Sequence, residues 1–283
     1  MKFQEQDFME VLDGLKTLDS PGITKISFST KYLISCAADV IIQSLNSFGT
    51  NRLAIFFTGG KDSTVLLYIL LASLIYFNKT SSLIESSIPI VYIDRGQQKF
   101  EEEQIFTTQL ANEFESIIVE SKIGVFLGVR ASDSNKTAQT SEVQKQTIKF
   151  IEESETQEGW PQSVRIMPLL NWDYSNIWEF LLGFGFNYTS LGLRTNTLPN
   201  PYLRKTKRQV IDKLEKLKQQ QQIPQIADIE NSDKHIITIR VIQILETIAS
   251  SFSTGDEASL DEFVYLPAYA LDDGSHERDV RMT

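Results

Sequence analysis

Apolar positions along the chain alternate between helical stripes and short continuous runs. Residues Gln6 to Leu18 place Phe8, Val11, Leu12 and Leu15 on one face, and Tyr32 to Phe48 carry a denser stripe ending near Gly49. Arg52 to Phe57 then forms a run of strand length. A glycine turn follows, and the apolar stretch from Thr64 to Phe77 is long enough for a buried helix. Ile88 to Asp94 predicts a second buried strand and Phe100 to Phe114 an amphipathic helix with an acidic first turn. Ser116 to Glu120 and Gly124 to Val129 predict two further strands. Apolar strands alternating with helices predict an α/β fold, a three-layer α/β/α sandwich with a mostly parallel sheet.

The second half is more polar. Residues 131–158 are rich in Ser, Thr and Gln and read as a surface excursion. Core character returns at Val164 to Leu170, and Asp173 is placed to cap a helix from Tyr174 to Phe184. Residues 183–203 read as ordered loop, Lys205 to Gln222 as a charged, solvated helix, and Ile236 to Phe252 as another helix. The chain shows no internal repeat. One domain over residues 1–283 is expected: a helical extension (1–50), a core (51–204), a helical insertion (205–262) and a C-terminal segment (263–283).

Composition narrows the chemistry. The 283 residues are 41% hydrophobic and 23% charged, as in an ordinary globular protein. With 27 Lys plus Arg against 37 Asp plus Glu, the net charge of −10 argues against broad nucleic-acid binding. Cys36 is the single cysteine, which excludes internal disulfides, cysteine zinc sites and dithiol chemistry within one chain. Two histidines, His235 and His276, give little scope for a multi-histidine metal site and read as solvated. The acidic start and the lack of a membrane-length apolar run predict a cytoplasmic, membrane-free protein, expected as a monomer.

Phe57-Thr58-Gly59-Gly60-Lys61-Asp62-Ser63 is the most informative segment. It lies between predicted strand and predicted helix. Paired glycines let backbone amides turn toward an anion, and the helix N-terminus adds partial positive charge. Lys61 can neutralise phosphate, Ser63 can donate a hydroxyl, and Asp62 can hold a cation or a lysine. The spacing is neither Walker A nor Gly-x-Gly-x-x-Gly.

The loop resembles the PP-loop of ATP pyrophosphatases, in which AMP passes to a nucleophile. That resemblance implies an ATP site at the C-terminal edge of the sheet and Mg²⁺. PAPS reductases of this fold need a cysteine near the C-terminus, and none follows Cys36. The tRNA thiolases of the fold need cysteines too. From the loop alone, NAD and GMP synthetases stay open.

Further motifs narrow the resemblance. Trp160-Pro161, Arg165 to Trp172, Ile177 to Leu181, Tyr188 to Gly192, Pro199 to Leu203, Gly128 to Asp133 and Pro267 to Leu271 with Glu277-Arg278 and Arg281 together resemble the eukaryotic FAD synthetases (FMN adenylyltransferases). The resemblance implies ATP and FMN as substrates and FAD and pyrophosphate as products. It assigns Phe57, Thr58, Gly59, Gly60, Lys61 and Ser63 to ATP. It assigns Arg130, Asp133, Trp160 and Arg165 to the nucleotide and flavin sites. Asp62, Arg278 and Arg281 are the catalytic candidates, and metal ligands are not assigned. Three positions depart from the family pattern: Thr58 for Asn, Ser134 for Pro and Val280 for Gly. Trp172, Trp178, Phe56, the Phe57 side chain and Cys36 read as core. Alternatives are another PP-loop adenylating enzyme of the NAD synthetase type and a non-catalytic flavin or nucleotide binder.

Overall fold

A computed structural model describes residues 9–11, 26–80, 88–92, 101, 105, 124–134, 151–154, 163–186, 200–221, 235–251, 263–272 and 274–278. Five strands form the main sheet: β1 (Leu53–Phe57), β2 (Ile90–Tyr92), β3 (Gly124–Phe126), β4 (Ile151–Ser154) and β5 (Ser163–Ile166), in the order β2-β1-β3-β5-β4. The β1–β2, β1–β3 and β3–β5 pairs are parallel, and β4 runs antiparallel on the edge. The α/β reading holds. β4 corrects the sequence reading of 131–158 as wholly surface excursion, because Ile151 to Ser154 pairs with Ser163 to Ile166. Its alternation is too short and too polar to stand out as a strand in sequence. The expected strand 116–120 and most of the helices 6–18 and 100–114 lie outside the described residues.

Three long helices pack on one another: α1 (Phe28–Phe48), α2 (Lys61–Thr80) and, after the short α3 (Ala131–Ser134), α4 (Tyr174–Phe184). Asp173 caps α4 as expected, its Oδ1 accepting from Asn176 N at 2.9 Å while Asn176 Oδ1 accepts from Asp173 N. Gly185 ends the helix in the left-handed conformation. Val65, Leu66, Ile69, Trp178, Phe180 and Phe184 are all solvent-inaccessible between these helices and the sheet. Trp172 is buried as well, as the sequence suggested, whereas Cys36 is only half-buried.

A buried carboxylate joins two of these helices. Glu179, on α4, accepts from Ser27 N, from Ser27 Oγ at 2.8 Å and from Thr30 Oγ1. It therefore satisfies orphan donors at the start of α1 from across the core. Glu179→Ala would leave those donors buried without partners. A loss of about 3 kcal/mol is expected, read as a lowered thermal midpoint; an unchanged midpoint would contradict this role.

The charged segment is less solvated than its composition suggested. Helix α5 (Lys207–Gln221) packs on α6 (His235–Ser250), beside a ribbon of β6 (Arg204–Thr206) and β7 (Phe263–Tyr265). Leu203, Val210, Leu214, Leu245 and Leu266 make a second small core there. The ribbon joins residues some sixty apart in sequence, so no local pattern announced it.

Candidate active site

The strand order places the phosphate loop. From β1 the chain moves to β2 on one side, and β3 then lies on the other side of β1. The C-terminal ends of β1 and β3 therefore flank a topological switch point, the place where parallel sheets open a crevice. Thr58 to Gly60 leaves β1, and Leu127 to Arg130 leaves β3.

Gly59 has φ +78°, a conformation that favours glycine. The Gly60 carbonyl accepts from Thr64 N at 3.0 Å, from Ser63 Oγ at 2.8 Å and from Thr64 Oγ1 at 3.0 Å. Thr58 N and Oγ1 reach Ser63 Oγ at 3.4 and 3.2 Å. The Ser63 proton is thus directed into the loop itself. Thr58, the departure from the family pattern, braces that hydroxyl.

Gly128 lies against this loop. A Cβ there would come within 3.0 Å of Asp62 C and Ser63 N. The glycine lets the β3 segment rest on the backbone that starts α2.

Among the described residues, five charged side chains meet at this junction. Lys61 Nζ lies 2.8 Å from Asp62 Oδ2 and 2.6 Å from Glu277 Oε1. Arg130 Nη2 is 3.1 Å from Asp133 Oδ1 and 3.0 Å from Glu277 Oε2. Arg130 Nε is 3.2 Å from Asp62 Oδ1 but misaligned for a hydrogen bond, so that pairing is coulombic. Lys61 and Arg130 are 4% and 2% exposed, so their charges are deeply desolvated. Burial alone would push the Glu277 carboxyl upward, but Lys61 and Arg130 overcome it and hold it below the ordinary range. Burial likewise opposes the Arg130 charge, and Asp62, Glu277 and Asp133 restore it.

Most residues assigned from sequence are gathered here: Thr58, Gly59, Gly60, Lys61, Asp62, Ser63, Arg130 and Asp133. The Phe57 side chain is buried in the core, so only its backbone borders the loop. Asp133 caps the Arg130 turn, accepting from Arg130 N at 3.1 Å as well as from the guanidinium. Arg165 is exposed on β5, paired in register with Val125. Trp160, Arg281 and the Arg278 side chain lie outside the described residues. Three contributors were given no role in sequence: Tyr174, and Glu277 and Gly128, which stood only as members of quoted motifs. Glu277 stood beside a named arginine, but its charge has the wrong sign for a phosphate site.

The C-terminal turn Gly274–Arg278 carries Glu277 into the junction. His276, expected to be solvated, is half-buried and stacks on Tyr202 with ring centroids 3.8 Å apart. Its carbonyl accepts from Asn200 Nδ2 at 3.1 Å. Tyr174 donates to the Ala268 carbonyl, and burial with the Glu277 charge raises its phenol far above the ordinary value, so the donor persists.

Comparison with known proteins agrees with this fold. Residues 116–195 match the phosphoadenosine phosphosulfate reductase domain family. A protein from Schizosaccharomyces pombe called a probable FAD synthase is 26% identical over 197 residues, 60% of this chain and 70% of its own length. The flavin adenine dinucleotide synthase of Saccharomyces cerevisiae is 28% identical over 222 residues, 64% of this chain and 67% of its own. A Caenorhabditis elegans probable FAD synthase is 28% identical over 194 residues, and the matched part is only 34% of that longer protein. The crystal structure of yeast FAD synthetase with FAD superposes with a TM-score of 0.57 at 20% identity, covering 98% of both chains. Candida glabrata FMN adenylyltransferase with FAD and pyrophosphate gives 0.58 at 21% identity, covering 99% of this chain and 95% of that one. Among the described residues no helix is long and apolar enough to cross a membrane.

Proposed function

We propose that this chain, which belongs with the FAD synthetases of the PP-loop family, transfers AMP from ATP to FMN, forming FAD and pyrophosphate. The observation that carries the reading is the convergence of Lys61 and Arg130 with the glycine loop at the switch point, in a chain that aligns with a flavin adenine dinucleotide synthase over 64% of its length.

The chemistry suits these residues. An FMN phosphate oxygen attacks the α-phosphorus of ATP, the bond to the bridging oxygen breaks, and pyrophosphate leaves. The attacking phosphate is already anionic near neutral pH, so a general base contributes little. What the reaction needs is two anions held in line and charge carried onto the leaving group. Backbone amides of the loop, the α2 N-terminus and Lys61 serve the leaving phosphates. Arg130, with its five donors, is held among Asp62, Asp133 and Glu277 beside the same loop. Arg278, next to Glu277 in the turn, is the candidate for the phosphate between the substrates, and Arg281 follows it. Trp160 and Arg165 are proposed for the flavin.

Among the described residues no three acidic or histidine side chains form a metal cage. Asp62, the loop carboxylate, would help to hold a magnesium ion brought in with ATP. The ion would supply positive charge to the departing pyrophosphate. We read the protein as a cytoplasmic monomer with small-molecule partners only; its net charge of −10 argues against nucleic acid as a partner.

Incubation of the purified chain with ATP, Mg²⁺ and FMN, followed by chromatography, tests the proposal. FAD should accumulate over many turnovers, and folded Asp62→Ala should lose about 10²-fold or more in kcat/KM. Absence of FAD and of FMN binding would overturn the flavin assignment. Wild-type turnover by the variant would remove Asp62 from the mechanism.

A further inference from the structure

The turn Gly274–Arg278 is fixed at three points. Gly274 lies so close to Tyr174 that a Cβ would sit 2.6 Å from the Tyr174 Cβ and Cγ. His276 is held by Asn200 and stacked on Tyr202. Glu277 spans Lys61 and Arg130, one oxygen on each, at 2.6 and 3.0 Å. The first two contacts are made to Tyr174 at the start of α4 and to the turn at Asn200 to Tyr202. Only the third reaches the phosphate loop.

The geometry points to Glu277 as a positioning residue, whose carboxylate docks the C-terminal turn onto Lys61 and Arg130 and so sets where Arg278 meets substrate phosphate. The inference rests on the adenylyl-transfer reading above. A carboxylate has no favourable contact to offer a phosphate, so its value at this place lies in what it orients. Among the described residues, Lys61 and Arg130 face three carboxylates, Asp62, Asp133 and Glu277, one more than the two cations balance. Asp62 and Asp133 are local to the two cations in sequence, whereas Glu277 is 147 residues from Arg130. The excess carboxylate is therefore the one that ties a distant segment to the site. Arg278 is the adjacent residue of the same turn, so a shift of the Glu277 backbone is passed to it directly.

A double-mutant cycle in the FAD-forming assay tests this, with wild type, Glu277→Gln, Arg278→Ala and the double variant. Glu277→Gln keeps the shape and removes the charge. It should lower kcat by about 10- to 100-fold, the scale of a small misplacement near the chemistry, while KM for ATP and FMN moves less than about threefold. In the Arg278→Ala background the same change should cost under about twofold, because the group it positions is gone. Equal losses in both backgrounds would overturn the proposal, as would tighter ATP binding with undiminished kcat, the signature of a carboxylate that merely occupies the phosphate position. Should Glu277→Gln fold poorly, Glu277→Asp keeps the charge but shortens the reach. It should melt near wild type yet lose kcat, and wild-type kcat would refute the role. If wild-type protein forms no FAD, the adenylyl-transfer reading fails by itself. Hydrogen exchange of residues 274–278 then still decides the docking step, since unchanged protection in Glu277→Gln would overturn it.

Discussion

Arg130→Leu is expected to lower stability by about 3–5 kcal/mol, the range for breaking a buried ion pair from one side. The guanidinium is 2% exposed and lies beside Asp62, Asp133 and Glu277. Among the described residues, a leucine would leave Lys61 as the one cation in a group with three partly buried carboxylates. The effect carries a pH signature. In the wild type the Glu277 carboxyl is held below its ordinary value, chiefly because Lys61 and Arg130 overcome burial. A depressed folded-state value contributes stability above the unfolded value and loses it as pH falls through the folded one. Without Arg130 the folded value must rise, so protonation relieves the variant at higher pH than the wild type. The stability deficit should narrow as pH falls from neutral down through the ordinary carboxylate range. Denaturant titrations of both proteins across that range check it, and a deficit independent of pH would show that lost packing dominates. FAD formation should fall by about 10²-fold or more in the folded fraction.

Gly128→Val is expected to be the second most damaging change. The requirement at Gly128 is one of space: its φ does not lie in the left-handed region that Gly59 occupies. The atoms that a Cβ would meet at 3.0 Å belong to the backbone of Asp62 and Ser63, which cannot swing aside as a side-chain tip could. Overpacking of this kind costs about 1–3 kcal/mol. Its larger consequence is displacement of the amides that begin α2, for which a loss of about 10²-fold in kcat/KM is expected. Gly128→Ala should fall between wild type and valine. Steady-state kinetics and ATP titration of the three proteins decide it; full activity in the valine variant would show that the loop has room to yield.

Much of the α/β frame was legible in the chain. β1, the glycine turn and α2 follow one another over Leu53 to Thr80, and each is set by rules acting over a few residues: apolar run length, glycine conformation and helical periodicity. Asp173 as a cap is legible for the same reason. Less legible were β4, whose polar residues carry no clear alternation, and the β6–β7 ribbon, whose strands pair across a long separation. The second core between α5 and α6 was hidden by the charges of α5, because its few buried residues, Val210 and Leu214 among them, are outnumbered by lysine and glutamine.

By itself the sequence determined which residues carry charge and flexibility at the phosphate loop: local geometry puts Gly59 and Gly60 in the turn after β1 and Lys61, Asp62 and Ser63 in the first turn of α2. Tertiary structure alone decided what Lys61 and Arg130 face. The strand order brings the ends of β1 and β3 side by side, and the fold carries Glu277 across to both cations. Ion pairing of this kind depends on burial, since the same charges in water would attract one another only weakly. Burial is a property of the assembled chain and is not written at any one position.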